Sequence, residues 1–159
     1  MLTKDNNFLK FGKENLHITQ SMSFGIVVSE FNEKITKKLL KGAKETLVEC
    51  GASRNNIKTM KVPGSMELIY GAKIIAQKNV DSIICLGSII KGETKHFDFI
   101  CNAVSNGIKD LNIKLNIPVI FGVLTDNTLK QAKDRSGGKY GNKGVAAAIA
   151  AIKMAHLNK

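Results

Sequence analysis

The sequence predicts an α/β domain, a four-stranded parallel sheet covered by helices on both faces. Three observations predict it. Strand-length apolar runs alternate with segments of helical periodicity along the chain. Two of the runs, Phe24–Ser29 and 81–87, are continuously apolar at their centres, which suits strands buried on both faces. The chain has 159 residues, 43% hydrophobic and 23% charged, enough for one core without disulfides. Strands alternating with helices form right-handed βαβ units, and their ligands bind outside the carboxyl ends of the strands.

Residues 1–20 are polar and aperiodic apart from Phe8, Leu9 and Phe11, and read as an arm with a short strand near 16–19. Residues 21–159 read as one domain. Its first strand, Phe24–Ser29, leads to Asn32, an N-cap candidate, and to Ile35, Leu39, Ala43 and Leu47 at helical spacing. Gly51 ends that helix. Residues 56–62 alternate as an edge strand until Pro63-Gly64 breaks them, and Ser65 can cap a helix whose inner face carries Leu68, Ala72 and Ile75. Residues 81–87 form the next strand and 88–95 a loop. Phe97, Ile100, Cys101, Val104, Ile108 and Leu111 then trace a third helix. Residues 118–124 form the fourth strand and 128–134 a short helix. A glycine-rich stretch over 136–144 precedes an alanine-rich helix over 145–157.

Composition removes several classes of function. No apolar run reaches the roughly 18 residues of a membrane span, and the first 20 residues lack the pattern of a secretory signal. Cys50, Cys85 and Cys101 have no metal-ligand spacing and cannot all pair within one chain, which fits buried thiols in a reducing compartment. The net charge is +11, but of 24 basic residues only Arg54 and Arg135 are arginine, leaving 22 scattered lysines without aromatic interleaving. That pattern favours a small anionic ligand over nucleic acid.

The strand-end loops are therefore 29–32, 62–67, 87–96 and 122–128. Phe31 can stack on a planar ligand or staple the start of a helix. Val62-Pro63-Gly64-Ser65-Met66-Glu67 presents a helix N-terminus to an anion or polar group. Glu67 there can favour the helix dipole or accept ligand hydroxyls. Gly87-Ser88-Ile89-Ile90-Lys91-Gly92-Glu93-Thr94-Lys95-His96 lets backbone approach a ligand and ends on an acid/base candidate, His96, in the first turn of a helix. Arg135 ahead of Lys139 and Lys143 suits phosphate, although the spacing is not that of a nucleotide-binding P-loop. By residue type alone, this is an acid/base site for a small phosphorylated or anionic substrate.

Together these loops resemble those of the 6,7-dimethyl-8-ribityllumazine synthases. The matching stretches are Glu30-Phe31-Asn32-Glu33, the 62–67 motif, 87–97, Phe121-Gly122-Val123-Leu124-Thr125 and Gly141-Asn142-Lys143-Gly144. Each alone is weak. Five in order, from Phe24 to Leu157, are specific.

The resemblance implies a three-layer αβα sandwich with flavodoxin-like strand order. It implies condensation of 5-amino-6-(D-ribitylamino)uracil with 3,4-dihydroxy-2-butanone 4-phosphate, the penultimate step of riboflavin biosynthesis, in the cytoplasm and without metal or cofactor. In the implied site Phe31 stacks on the pyrimidine, and Ser65, Met66 and Glu67 surround the ribityl chain. Ser88, Ile89 and Ile90 face the uracil, and Glu93 and Thr94 sit at the phosphate. His96 moves protons, and Arg135 with Lys143 holds the phosphate. Phe121 arrives from a neighbouring subunit. The family forms pentamers, and the short segment from Arg135 to Gly144 suits the 60-subunit shell, with the arm adding a strand to a neighbour's sheet. Partners are then the two small substrates and further copies of the chain, with neither nucleic acid nor membrane.

Glu30 and Lys91 replace a more usual Arg, Met66 a more usual Phe, and Lys95 a smaller or uncharged residue. Three other readings compete with it: a decayed shell protein, an archaeal-type riboflavin synthase, and a basic RNA-binding module. Intact His96, Glu67 and Arg135 oppose decay, product identity separates the two enzymes, and scattered charge opposes RNA.

Overall fold

A computed structural model describes residues 19–158. Its main sheet has four parallel strands, β1 (Phe24–Ser29), β2 (Ile57–Val62), β3 (Ser82–Ile90) and β4 (Val119–Asp126), in the order β2-β1-β3-β4. The helices are α1 (Glu33–Glu49), α2 (Leu68–Ala76), α3 (His96–Lys114), α4 (Leu129–Arg135) and α5 (Lys143–His156). The expected three-layer sandwich is the observed one. The expected strand at 16–19 lies mostly outside the described residues, and Thr19, the part that is described, is helical.

The period of two in the strands sends alternate residues to opposite faces. Ile26, Val28, Ile84, Leu86 and Leu124 pack with Ile35, Leu39, Ala43 and Leu47 of α1 and with Ala148, Ala151 and Ile152 of α5. Val27, Ile83, Cys85, Val119 and Val123 pack on the other face with Leu68, Ala72 and Ile75 of α2 and Val104 and Ile108 of α3. The alanine-rich face of α5 lets it approach α1 closely. A Cβ on Gly144 would stand 2.1 Å from the Leu39 carbonyl oxygen, and one on Gly42 would stand 2.6 Å from the Asn142 amide. Asn142 donates Nδ2–H to the Lys38 carbonyl (2.9 Å) and accepts from Gly144 N–H (2.8 Å), so it caps α5 and ties it to α1.

Several element boundaries differ from the sequence reading, each because of tertiary pairing. β3 does not stop at Gly87, since Ser88, Ile89 and Ile90 pair with Leu124, Thr125 and Asp126. β4 likewise runs two residues past 124, and residues 88–90 are strand, not loop. The glycine-rich stretch contains a short antiparallel hairpin, β5 (Ser136–Gly138) with β6 (Gly141–Asn142). Among the described residues no helix is long and apolar enough to cross a membrane.

Candidate active site

The chain moves from β1 outward to β2 and returns to β3, so the switch point lies between the carboxyl ends of β1 and β3. Val28 pairs with Leu86 and Ile90 with Asp126, so β3 and β4 overhang that partner of β1 by four residues. At about 3.3 Å per residue this is a ledge of about 13 Å.

Asn32 spans the crevice. It holds a left-handed conformation (φ 58°) and donates Nδ2–H to the Ser88 carbonyl at 2.9 Å. Its side chain therefore does not cap α1, contrary to the sequence expectation; the bond to β3 takes its place. Glu30 N–H donates to the Val62 carbonyl (2.8 Å) and Phe31 N–H to the Pro63 carbonyl (3.0 Å), which fastens the first loop to the second. Phe31 itself is 69% exposed, so it staples nothing among the described residues.

In the second loop Ser65 does not cap a helix either. α2 begins at Leu68, and the buried Ser65 Oγ finds no hydrogen-bond partner among the described residues. It presses on β3, where a Cβ at Gly87 would stand 2.6 Å from it. Only glycine permits that approach. Ser88 Oγ, on the opposite face of β3, is also buried without a hydrogen-bond partner among the described residues. Met66 and Glu67 are exposed, and Glu67 Oε2 folds back to 2.9 Å from where a Cβ on Gly64 would sit.

Glu93, Thr94 and His96 are exposed where β3 passes into α3. Thr94 Oγ1 accepts from His96 N–H at 3.3 Å, but the N-cap of α3 is Lys95, whose side chain makes no capping bond. Ile89 is buried and Ile90 half-buried on the ledge.

Arg135 ends α4, whose start is fixed by a capping box between Thr128 and Gln131. Its Nη1 donates to the Gln131 carbonyl (3.4 Å) and lies 3.6 Å from Asp126 Oδ1. The guanidinium also stands 5.2 Å from the centre of the Tyr140 ring. Burial raises the Asp126 carboxyl above its ordinary value, while Arg135 pulls it down. The sequence reading passed over Asp126. The signal available was a charged residue directly after a buried strand, on the loop already marked as part of the site.

Of the predicted residues, Phe121 lies apart from this end. Phe121 is mid-strand on β4 opposite Cys85, five residues before Asp126, and is 38% exposed on the sheet edge. At strand rise this is about 16 Å from the ledge tip. Lys143 opens α5 and is exposed. Among the described residues no group of three or more His, Cys, Asp or Glu could hold a metal ion. Cys50, Cys85 and Cys101 are unpaired thiols, all raised by burial, Cys85 to about 12.

The profile of the family described as 6,7-dimethyl-8-ribityllumazine synthase matches residues 21–159. Proteins named 6,7-dimethyl-8-ribityllumazine synthase are similar over nearly the full length. One from Christiangramia forsetii is 53% identical, covering 100% of this chain and 96% of its own. One from Flavobacterium johnsoniae is 52% identical, covering 100% and 84%. One from Parabacteroides distasonis is 45% identical, covering 99% of each.

Proposed function

The chain belongs to the 6,7-dimethyl-8-ribityllumazine synthase family, transferases of riboflavin biosynthesis, and from that membership we propose the reaction it performs and the residues that perform it. It condenses 5-amino-6-(D-ribitylamino)uracil with 3,4-dihydroxy-2-butanone 4-phosphate. The ring amine attacks the ketone and loses water to give an imine. Phosphate is then eliminated, and the ribitylamino nitrogen closes the second ring with loss of a second water.

The observation that carries this reading is the guanidinium of Arg135 beside the β3–β4 ledge. Its contacts fall on Nη1, so Nε and Nη2 face no acceptor among the described residues. A phosphate takes that edge in a bidentate grip. Phe31, exposed at the switch point, offers a ring to the pyrimidine. Ser88, Ile89 and Ile90 line the ledge for the uracil, while Ser65, Met66 and Glu67 take the ribityl hydroxyls. Glu93 and Thr94 sit at the phosphate end with Lys143. His96 moves the protons, a role suited to an imidazole because each step transfers one. Holding two substrates in register supplies much of the remaining acceleration.

The site is an open shelf in the single chain. Phe31 and Met66 are exposed there, and Phe121 is exposed on the edge of β4. This supports pentamers in which Phe121 of one subunit closes the pocket of the next, and a 60-subunit shell built from them. The unpaired thiols support a cytoplasmic location.

Purified protein mixed with both substrates should form the lumazine chromophore well above the enzyme-free blank, and His96→Ala should slow the maximal rate by about a hundredfold. Folded protein that gives no acceleration over the blank sinks the reading.

A further inference from the structure

Asp126 is the last residue of β4 and is only 6% exposed. Its backbone is fixed on the ledge by pairing with Ile90 and by Lys91 N–H, which donates to its carbonyl at 2.9 Å. Its side chain reaches one group among the described residues, Arg135, at 3.6 Å from Oδ1 to Nη1. The second oxygen, Oδ2, is buried without a hydrogen-bond partner among the described residues. A buried carboxylate so thinly compensated is unfavourable for the fold. Its neighbours Val123 and Leu124 show that apolar side chains fill this strand without difficulty. The carboxylate therefore has to be explained by what it does to Arg135.

The guanidinium is held on three sides. Asp126 Oδ1 and the Gln131 carbonyl both engage Nη1, and the Tyr140 ring lies 5.2 Å from Cζ, with Lys139 Nζ at 5.4 Å from the same ring. A long side chain with one edge pinned loses much of its rotamer freedom before any ligand arrives. The pinned edge is Nη1, and the remaining fork is Nε and Nη2.

Resting on the reading of Arg135 as the phosphate anchor, we propose that Asp126 is a positioning residue that pins one edge of Arg135 and leaves the other edge presented to the substrate phosphate. Asp126 does not itself touch substrate; it acts through the guanidinium. A carboxylate that competed with phosphate for the same fork would act in the opposite direction, so the sign of its removal decides.

The test uses the full chain, assembled, as wild type, Asp126→Asn, Arg135→Ala and the double variant. Asp126→Asn is expected to raise KM for the phosphorylated ketone about tenfold, the scale of one charge-assisted contact, with KM for the ribitylaminouracil within about twofold. Inorganic phosphate, titrated by 31P NMR without turnover, should bind more weakly in the same proportion. In the Arg135→Ala background, Asp126→Asn should change neither quantity. The melting temperature of Asp126→Asn should be no lower than wild type, which a purely structural role would not give. Asp126→Thr, of similar size with a neutral hydroxyl, repeats the comparison should the amide disturb folding. An unchanged or lowered ketone KM, unchanged phosphate binding, or a full effect of Asp126→Asn without Arg135 would each overturn the proposal. Failure of the reaction itself appears separately, as wild type that makes no lumazine while the phosphate titration still reads the coupling.

Discussion

β3 changes character along its length. From Ile83 to Leu86 every side chain is buried and apolar, packed against α1 and α5 on one face and α2 and α3 on the other. From Gly87 onward it adjoins buried polar atoms with no hydrogen-bond partner among the described residues: Ser65 Oγ against Gly87, Ser88 Oγ on the strand, and Asp126 Oδ2 beside Ile90. Each such atom costs about 1–3 kcal/mol relative to a satisfied or apolar group. The body of the sheet is arranged for packing. Its carboxyl end holds groups the fold alone would be better without, which supports the proposed site there.

The largest expected effect lies in the body. Gly144→Ala places a methyl 2.1 Å from the Leu39 carbonyl oxygen, backbone that cannot step aside, so α1 and α5 must separate. We expect a loss of about 3 kcal/mol or more in urea unfolding. A wild-type midpoint would show that the two helices are looser than their packing implies.

Next in size is Arg135→Ala at the working end. Its kcat/KM for the phosphorylated ketone should fall about a hundredfold, mainly through KM, with stability nearly unchanged. A large fall in melting temperature with unaltered KM would move Arg135 to the structural side of the comparison.

The serines sharpen the contrast at smaller scale. Ser82 Oγ donates to the Pro118 carbonyl at 3.3 Å, whereas Ser88 Oγ has no hydrogen-bond partner among the described residues. Ser82→Ala should cost about 1 kcal/mol, and Ser88→Ala should cost nothing or stabilise, while weakening substrate affinity. Equal costs in denaturant titrations would erase the distinction.

The acid limb of stability carries a smaller effect. Asp126 has a folded pKa above its ordinary value of 3.8, because burial outweighs Arg135. The folded state therefore holds the proton more tightly than the unfolded state. This contribution lowers stability as pH rises from the ordinary value through the folded one, and is constant above it. Asp126→Asn should remove that slope from unfolding free energies measured across the window.

The smallest effect concerns Cys85, whose thiol burial pushes up to about 12. It should stay unlabelled by a thiol reagent in native protein and label only in denaturant. Labelling in the native state would mean that the centre of β3 opens.

Much of the fold was legible in the sequence. Phe24–Ser29 and 81–87 read as buried strands because parallel strands covered on both faces cannot alternate, and the spacing of Ile35, Leu39, Ala43 and Leu47 could only be a helix. The ends of elements were less legible. β3 extends to Ile90 because β4 is there to accept its hydrogen bonds, a partner far away in sequence. Asn32 and Ser65 looked like caps, since Asn and Ser usually bond to nearby backbone. In the fold, Asn32 finds the Ser88 carbonyl, 56 residues away, and Ser65 is pressed into β3.

The site divides in the same way. Phe31, Glu67 and His96 were readable as candidates because they stand in the loops after strands, and Arg135 because it is one of only two arginines and precedes a glycine-rich stretch. Asp126 was not, because its significance lies in a 3.6 Å contact and an unpartnered oxygen. By itself the sequence determined the fold class, through periodicity, and the family, through the resemblance of five short motifs, and it singled out the loops at the strand ends, since all of these are local features. Only the tertiary structure decided where strands end, which polar atoms are buried without partners and which edge of Arg135 is pinned. Those depend on distances between residues that the chain order keeps apart.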